Sequence, residues 1–505
     1  MARVRPPAVP VVTSRLFAAT FVALSVLAAA PFWRTRLLPM QDYPQLLVFA
    51  RVYGDCHDPS SPFFGTYTTG FPLSPLLLPI LMLRAMAAVS SLETAGRVMW
   101  TLYALGLPLA SLYLLRVLGR DRWATLLVFP LVFSYWSGGG FFAFATSAPL
   151  LVLGLALGVR WLEAPSGRRG AAFATALCAL HLWHSLSFAQ LLLDFGVLWL
   201  LHRAEDGRAR LRALLPLAPS LALFAVWMLV TLKGRPPGSR PPSWPPFFDN
   251  AGHFFDFIGP ILPAATALAV ILSVILLAGA LARTRPASDL GAFRVDNPFG
   301  LLSLLAVVSY LVLPSACFGV EGINNRQPWI AALLLVFGWT LPARPGARAA
   351  LLALVGGVGV LVLVQMGQRF AAFSRESEGA SRLIDRLRPG ETLLAPIGSG
   401  ATPSFPSKPL IALELYATIR HGGLPNSSFA GYDYNLIRYV GGKNPMPGLG
   451  ANWLGQPGLA RFDYVLLRGP TGMAAAKPGV IRSVAHDGEW SLFAVCGGRA
   501  LPSCP

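Results

Sequence analysis

An aspartate stands where a long apolar run gives way to polar sequence, in Leu38-Pro39-Met40-Gln41-Asp42-Tyr43-Pro44-Gln45. Ionisable groups at the edge of a bilayer are costly to place and usually functional. A carboxylate there can deprotonate an attacking hydroxyl, while a cation holds a departing phosphate, which suits transfer of a group from a lipid-borne phosphate. Asp42 is the candidate base. The candidate cation is Arg326, in Glu321-Gly322-Ile323-Asn324-Asn325-Arg326-Gln327 at the start of an apolar run, because guanidinium pairs with phosphate oxygens in a bidentate way. Tyr43 and Gln45 flank Asp42 and are candidate substrate contacts. His253 is a fourth candidate, in a Pro-rich stretch with Trp244, Phe247 and Phe248 that could wall a groove or anchor a loop. A solvated loop acid and an interfacial arginine are the bland alternatives for Asp42 and Arg326.

Other residues carry less. Asp55, His57 and Asp58 form a loose oxygen-rich group, so a divalent metal (Mg or Mn) has only Asp42 and Asp58 as weak candidate ligands. Five cysteines without a Cys-x-x-Cys pair give no zinc signature, and Cys496 and Cys504 can bridge in an oxidising compartment. His181 and His184 share a helix face, where packing is the favoured role. Gly138-Gly139-Gly140 lacks the strand and helix of a nucleotide-phosphate loop and reads as a tight turn between spans.

The elements that must position these residues are membrane helices. The chain has 505 residues, 54% hydrophobic and 13% charged, with a mean hydropathy of +0.56. That is too apolar for a soluble protein with one ordinary core. The net charge of +18 comes from arginines clustered between apolar runs, so it encodes topology and not nucleic-acid binding. Arg3, Arg5 and Arg15 precede the run Leu16 to Trp33, which places the N-terminus in the cytoplasm and Asp42 outside; a cleaved signal peptide is the alternative reading of this run. Phe71 to Val89 carries Pro72, Pro75, Pro79 and Arg84 and reads as an interfacial or re-entrant segment. Ala95 to Leu115, Trp123 to Trp136 and Phe141 to Leu162 follow as spans. Ala171 to Leu201 is too long for one span and divides into two short helices near His184 to Ser187. Ala213 to Leu232, Ile261 to Ala282, Phe299 to Ala316, Gln327 to Leu341 and Ala350 to Gly367 complete about eleven spans.

The expected organisation is a transmembrane domain over 1–367, with a first external loop at 34–94, and an extracytoplasmic domain over 368–505. The latter has strand-like segments such as Tyr464-Val465-Leu466-Leu467 between Gly, Pro and Asn turns, and reads as a small α/β domain on the Asp42 side.

An inward-starting first helix, a loop opening with Gln41-Asp42-Tyr43-Pro44, a Pro-interrupted segment returning to the membrane, the paired short helices and an external C-terminal domain together resemble the GT-C superfamily of polyprenyl-phosphate-sugar-dependent glycosyltransferases. That superfamily includes protein mannosyltransferases, lipid A aminoarabinose transferases and oligosaccharyltransferases. The resemblance implies inverting transfer of a sugar from a polyprenyl-phosphate donor to a protein, glycan or lipid acceptor at the outer face, with Asp42 as base or metal-linked acid. Two positions depart from the family pattern. Gln45, Leu46 and Leu47 stand where related sequences often carry a histidine, and Ser137 to Gly140 supplies no second acid, so a metal-independent or inactive member is also compatible. A transporter or flippase would show charges buried in mid-span, where only Asp194 stands out, and an assembly protein would not need so many spans. The Arg-, Ala- and Gly-rich composition fits a bacterial inner membrane, with the C-terminal domain in the periplasm.

Overall fold

The computed structural model describes residues 11–203, 206–233, 242–244, 297–317, 320–339, 341, 344–397, 400–405, 407–431, 435–446, 448–449, 453–469 and 479–498. The predicted span Ile261 to Ala282, together with Asp249, His253 and Asp256, lies outside these residues.

Helix α1, Val11–Ala29, runs into a 3-10 turn at Ala30–Trp33. The polar loop expected after it contains a helix, α2 (Tyr43–Asp55), with Pro44 in its first turn and Tyr43, Leu47, Val48, Phe49 and Val52 buried. Its apolar stretch, Leu46-Leu47-Val48-Phe49-Ala50, is too short to show as a membrane run, but it buries most of the helix in the protein. Helix α3, Leu77–Ala87, is eleven residues long. At about 1.5 Å per residue it covers about half of a hydrocarbon core, too short to cross one.

Helix α4, Leu92–Val117, is capped by Ser91, whose Oγ accepts the Thr94 N–H at 3.1 Å. The expected span Trp123 to Trp136 is not one helix: a 3-10 stretch at Arg122–Val128 leads to short turns at Phe129–Val132 and Tyr135–Gly138, broken at Pro130 and at extended Phe133. Helix α5, Phe142–Glu163, packs on α4. Helices α6 (Gly167–Trp183) and α7 (Ser185–Leu201) divide the overlong apolar stretch at His184, which is extended at φ −160°, ψ 116°. Helix α8 is Ala218–Lys233, α9 is Pro298–Val312 and α10 is Gln327–Gly338. Between α9 and α10 the strands β2 (Ala316–Cys317) and β3 (Val320–Glu321) form a tight antiparallel hairpin. Five helical segments among the described residues are long and apolar enough to cross a membrane: Ser14–Trp33, Leu92–Val117, Phe142–Glu163, Gly207–Thr231 and Pro345–Ile384. The chain is a multi-pass membrane protein.

Helix α11, Pro345–Ile384, is continuous for 40 residues, so the boundary drawn at 367/368 falls inside it. Beyond it a four-stranded sheet has the order β4-β6-β8-β7, with β4 (Leu393–Leu394) parallel to β6 (Tyr464–Arg468) and β8 (Trp490–Val495) antiparallel to both β6 and β7 (Ile481–Asp487). Every residue of β8 is buried. Cys496 is disulfide-bonded, and Cys504, its expected partner, lies outside the described residues.

Two devices lock this region to the first loop. Strands β1 (Tyr67–Thr69) and β5 (Ile437–Tyr439) pair antiparallel, with Tyr67 opposite Tyr439. In α12 (Leu415–His421), Arg420 forks onto Glu93 of α4 at 2.7 and 3.1 Å, and its remaining nitrogen donates to the Ser381 carbonyl and Oγ, both at 3.1 Å, and to Asp385 at 2.9 Å. The Arg420 side chain is 14% exposed. Removing one member of a largely buried ion network leaves the other charges uncompensated, a loss of about 3 kcal/mol or more. Arg420→Ala should therefore lower the melting temperature in detergent and expose the segment after α11 to protease at temperatures where the wild type is resistant; Arg468→Ala, whose partner Glu489 is mostly exposed, should leave both unchanged.

Candidate active site

A cavity of about 520 Å³ opens among α2, the α3 entry, the start of α5, the α6–α7 break, α8 and the β2–β3 hairpin. Its polar lining includes Gln41, Asp42, Gln45, His184, Glu321 and Arg326, with Ser185, Thr231 and Asn435 beside them. Most of the remaining wall is apolar or aromatic, including Phe49, Phe141, Phe144, Trp227, Met228 and Phe429. The arrangement is a mostly apolar cavity with a small number of convergent polar groups, the usual make-up of a small-molecule site.

Asp42 occupies the N-cap position of α2, where an aspartate ordinarily accepts a backbone N–H of the first turn. Here it makes no capping hydrogen bond and lines the cavity instead. The backbone of the Gly-rich turn holds it: the Asp42 N–H donates to the Gly139 carbonyl at 3.1 Å. Gly140 has φ +80°, and a Cβ there would lie 2.7 Å from the Tyr43 nitrogen and 2.9 Å from that of Asp42. Only glycine satisfies both the conformation and the approach. The three glycines read as a turn between spans are thus the seat of the acid. Burial raises the Asp42 pKa to about 6, with Glu321 pushing the same way and Arg326 opposing them. That is the range of a working general base.

Arg326 ends a 3-10 turn, Asn324–Arg326, just ahead of α10, and is only 5% exposed. Its guanidinium carbon lies 5.5 Å from the ring centre of Trp136 and 5.4 Å from those of Phe141 and Phe144. Aromatic faces stabilise a guanidinium that has lost water. Gly322, at φ +67°, brings the hairpin that carries Glu321 against Trp136. A further strained position, Leu76 at φ +76°, lies on the cavity wall after Pro75. Non-glycine residues in that region store about 1–3 kcal/mol and concentrate at functional sites.

The other sequence candidates divide. Gln45 lines the cavity and accepts the Phe429 N–H at 3.2 Å, tying the C-terminal region to the rim. Tyr43 is turned away, 1% exposed among Trp100 and Phe142, and does not line the cavity: its ring is needed to pack α2 on α4 and α5. His253 lies outside the described residues. Asp58 is exposed and holds the Ser60 N–H and hydroxyl, and Asp55 pairs with Arg51 and Arg84. Among the described residues no three His, Cys, Asp or Glu side chains gather as a metal site, so Asp42 and Asp58 are not brought into one. His184, which spacing assigned to packing, lines the cavity. The signal for it was the overlong apolar stretch, because the residue that breaks such a stretch is placed at a membrane face.

No family model matches the chain, and no curated protein matches it. Among solved structures it is similar to ArnT from Cupriavidus metallidurans in two states. The apo state aligns with a TM-score of 0.57 at 14% identity, covering 98% of this chain and 100% of that one. The state bound to undecaprenyl phosphate aligns with a TM-score of 0.54 at 15% identity, covering 96% and 98%. The chain has the GT-C fold. The arabinofuranosyltransferase AftD from mycobacteria also aligns, at 15% identity and a TM-score of 0.49, over 95% of this chain and 40% of that one. The GT-C likeness extends over nearly the whole chain, so it includes both the first loop that carries Asp42 and the region after α11.

The seat of Asp42 can be tested directly. Gly140→Ala should destabilise the protein by about 3 kcal/mol or more, because the left-handed backbone alone costs about 1–3 kcal/mol and the added Cβ also meets the Tyr43 and Asp42 nitrogens; Gly140→Asn, which carries the same Cβ, should not rescue it, and thermal unfolding in detergent reads both.

Proposed function

We propose that the chain is a membrane glycosyltransferase that moves a sugar from a polyprenyl-phosphate donor to an acceptor hydroxyl on the extracytoplasmic face. The observation that carries this reading is that Asp42 and Arg326, far apart in sequence, line one mostly apolar cavity in a GT-C fold. Asp42 takes the proton of the acceptor hydroxyl. The acceptor oxygen attacks the anomeric carbon, and the bond to phosphate breaks with its electron pair on the phosphate. Arg326 holds that phosphate. The polyprenyl tail lies along the aromatic and aliphatic wall, and the donor sugar sits between the two charged residues. Gln45 and Glu321 are placed to orient sugar hydroxyls. In this reading the protein resides in a bacterial inner membrane, with a cytoplasmic N-terminus and the region after α11 in the periplasm.

The polyprenyl-phosphate class of donor is supported by the ArnT structure that holds undecaprenyl phosphate. A flippase or solute carrier would place working charges along a path through the membrane. Here the charged groups that converge, Asp42, Glu321 and Arg326, lie at a helix cap, in a short hairpin and in a 3-10 turn, around one cavity.

Asp42→Asn keeps the size of the side chain and removes the base. Transfer of labelled sugar from a panel of polyprenyl-phosphate sugars in membranes should fall by about a hundredfold or more. Stability should move the other way. The folded-state pKa lies above the unfolded one, so the protonated form is favoured by folding and that contribution is lost as pH rises from about 4 through about 6. Above pH 6 the wild type carries a poorly solvated charge that Asn lacks, so Asp42→Asn should melt no lower than the wild type at pH 8. The activity of the wild type should show an acidic limb with a midpoint near pH 6. A mutant that both loses transfer and unfolds early would mark Asp42 as structural.

Arg326→Lys tests the cation. It keeps the charge but loses the fork, and should raise the KM for the donor about tenfold to a hundredfold. An unchanged KM would place the phosphate elsewhere.

A further inference from the structure

His184 carries a second inference about this site, and it rests on the transferase reading above. The α6–α7 break turns its ring into the cavity. The ring centre lies 5.5 Å from that of Phe144, the same ring over which Arg326 sits at 5.4 Å. His184 and Arg326 therefore flank one aromatic ring and face one cavity.

The other side of the imidazole is fixed. As N-cap of α7, Nδ1 accepts the Ser187 N–H at 3.2 Å. The Ser187 hydroxyl stands 2.9 Å from the same nitrogen and 2.7 Å from the hydroxyl of Ser147, and both serines are buried. Asn, Asp and Ser are the usual residues for such a cap, and any of them would suffice for capping alone. Histidine adds a second nitrogen. With Nδ1 occupied as an acceptor, a neutral ring carries its proton on Nε2. Burial and the charge of Arg326 hold the pKa of His184 well below the usual histidine range, so the ring is neutral.

We propose that His184 is a catalytic residue that donates a hydrogen bond from Nε2 to the phosphate oxygens of the polyprenyl-phosphate headgroup beside Arg326. A sugar-bearing polyprenyl phosphate is a diester with one negative charge. When the bond from the anomeric carbon to the phosphate oxygen breaks, the electron pair stays on the phosphate and a monoester with a second negative charge results. The new bond joins that carbon to the acceptor oxygen, and the hydroxyl proton passes to Asp42. A fixed N–H donor gains strength as charge builds on its acceptor, so it favours the transition state over the bound donor. Being neutral, it does so without repelling Arg326.

The test is binding of undecaprenyl phosphate and, separately, of undecaprenol to the full chain in detergent, for the wild type, His184→Ala, His184→Gln and Arg326→Gln, each checked by thermal unfolding. His184→Ala should weaken undecaprenyl phosphate by about tenfold, the value of a hydrogen bond to a charged group, and leave undecaprenol unchanged. His184→Gln, which restores an N–H donor near the Nε2 position, should recover most of the loss. Equal binding by wild type and His184→Ala overturns the proposal. So does equal loss in the Ala and Gln variants, or a matching loss of undecaprenol, since either marks a packing role. If Arg326→Gln loses undecaprenyl phosphate while His184→Ala keeps it, His184 alone falls and the transferase reading stands. If the wild type binds no undecaprenyl phosphate, both fall.

Discussion

A guanidinium buried to 5% exposure is the constraint around which the site is built. A cation taken out of water is tolerated only where the surroundings replace its hydration. Around Arg326 stand three aromatic faces and, on the same cavity, two carboxylates, brought together from four pieces of chain. Trp136 is delivered by the short turn after Pro130, Phe141 and Phe144 by the start of α5, Asp42 by the first loop and Glu321 by the β2–β3 hairpin. The broken geometry of 122–138 is intelligible on these grounds. A straight span would carry Trp136 past the arginine, whereas the 3-10 stretch and two short turns lay it beside the guanidinium. The same turn then supplies Gly139 and Gly140 as the backbone rest for Asp42. One irregular segment thus touches both Arg326, through Trp136, and the backbone of Asp42, through Gly139 and Gly140.

The region after α11 completes the cavity. Phe429 and Asn435 stand on its wall, and the Phe429 N–H is held by Gln45, three residues on from the acid. Asn435 in turn donates to the Phe429 carbonyl at 2.6 Å, closing that corner within the chain. These contacts are polar and few, so they would not resist thermal motion unaided. The β1–β5 pairing, the Arg420 fork and the uninterrupted α11 supply the rigidity, and all three lie away from the cavity. Separating the clamps from the site leaves the cavity wall free to carry strain, as at Leu76.

Much of this was legible in sequence, and the limits have physical causes. Asp42 stood out because a carboxylate at the end of an apolar run has few structural reasons to be there. Arg326 stood out for the complementary reason at the start of α10. The division at His184 followed from length alone, because an apolar stretch from Ala171 to Leu201 cannot be one ordinary span. What the search for membrane runs could not reveal was α2, whose apolar stretch is too short to span, and the broken 122–138 segment, whose composition is that of a helix. Tyr43 illustrates a different limit. Adjacency to Asp42 suggested a shared site, yet consecutive residues at a helix start point in different directions, and the tyrosine ring was claimed by Trp100 and Phe142. The Gly-rich segment is the tight turn expected, but its role was illegible without its partner: the need for glycine at 140 exists because the backbone of Asp42 and Tyr43 presses against it.

The charge inventory links binding to chemistry. Among the described residues on the cavity, two carboxylates face one cation, with His184 held neutral. An anionic donor entering this set raises the proton affinity of Asp42, because a second negative charge joins Glu321 in opposing its ionisation. Arg326 limits the rise, since it lies close enough to Asp42 to lower its pKa in the empty site and stays beside the phosphate after binding. If Arg326 were replaced by a neutral group, donor and ionised Asp42 would compete, and the acid would be protonated when the substrate is present and the base is needed. In the proposed reaction the arginine would therefore do more than hold the phosphate: it would allow a bound anion and an ionised Asp42 to coexist in one poorly solvated cavity.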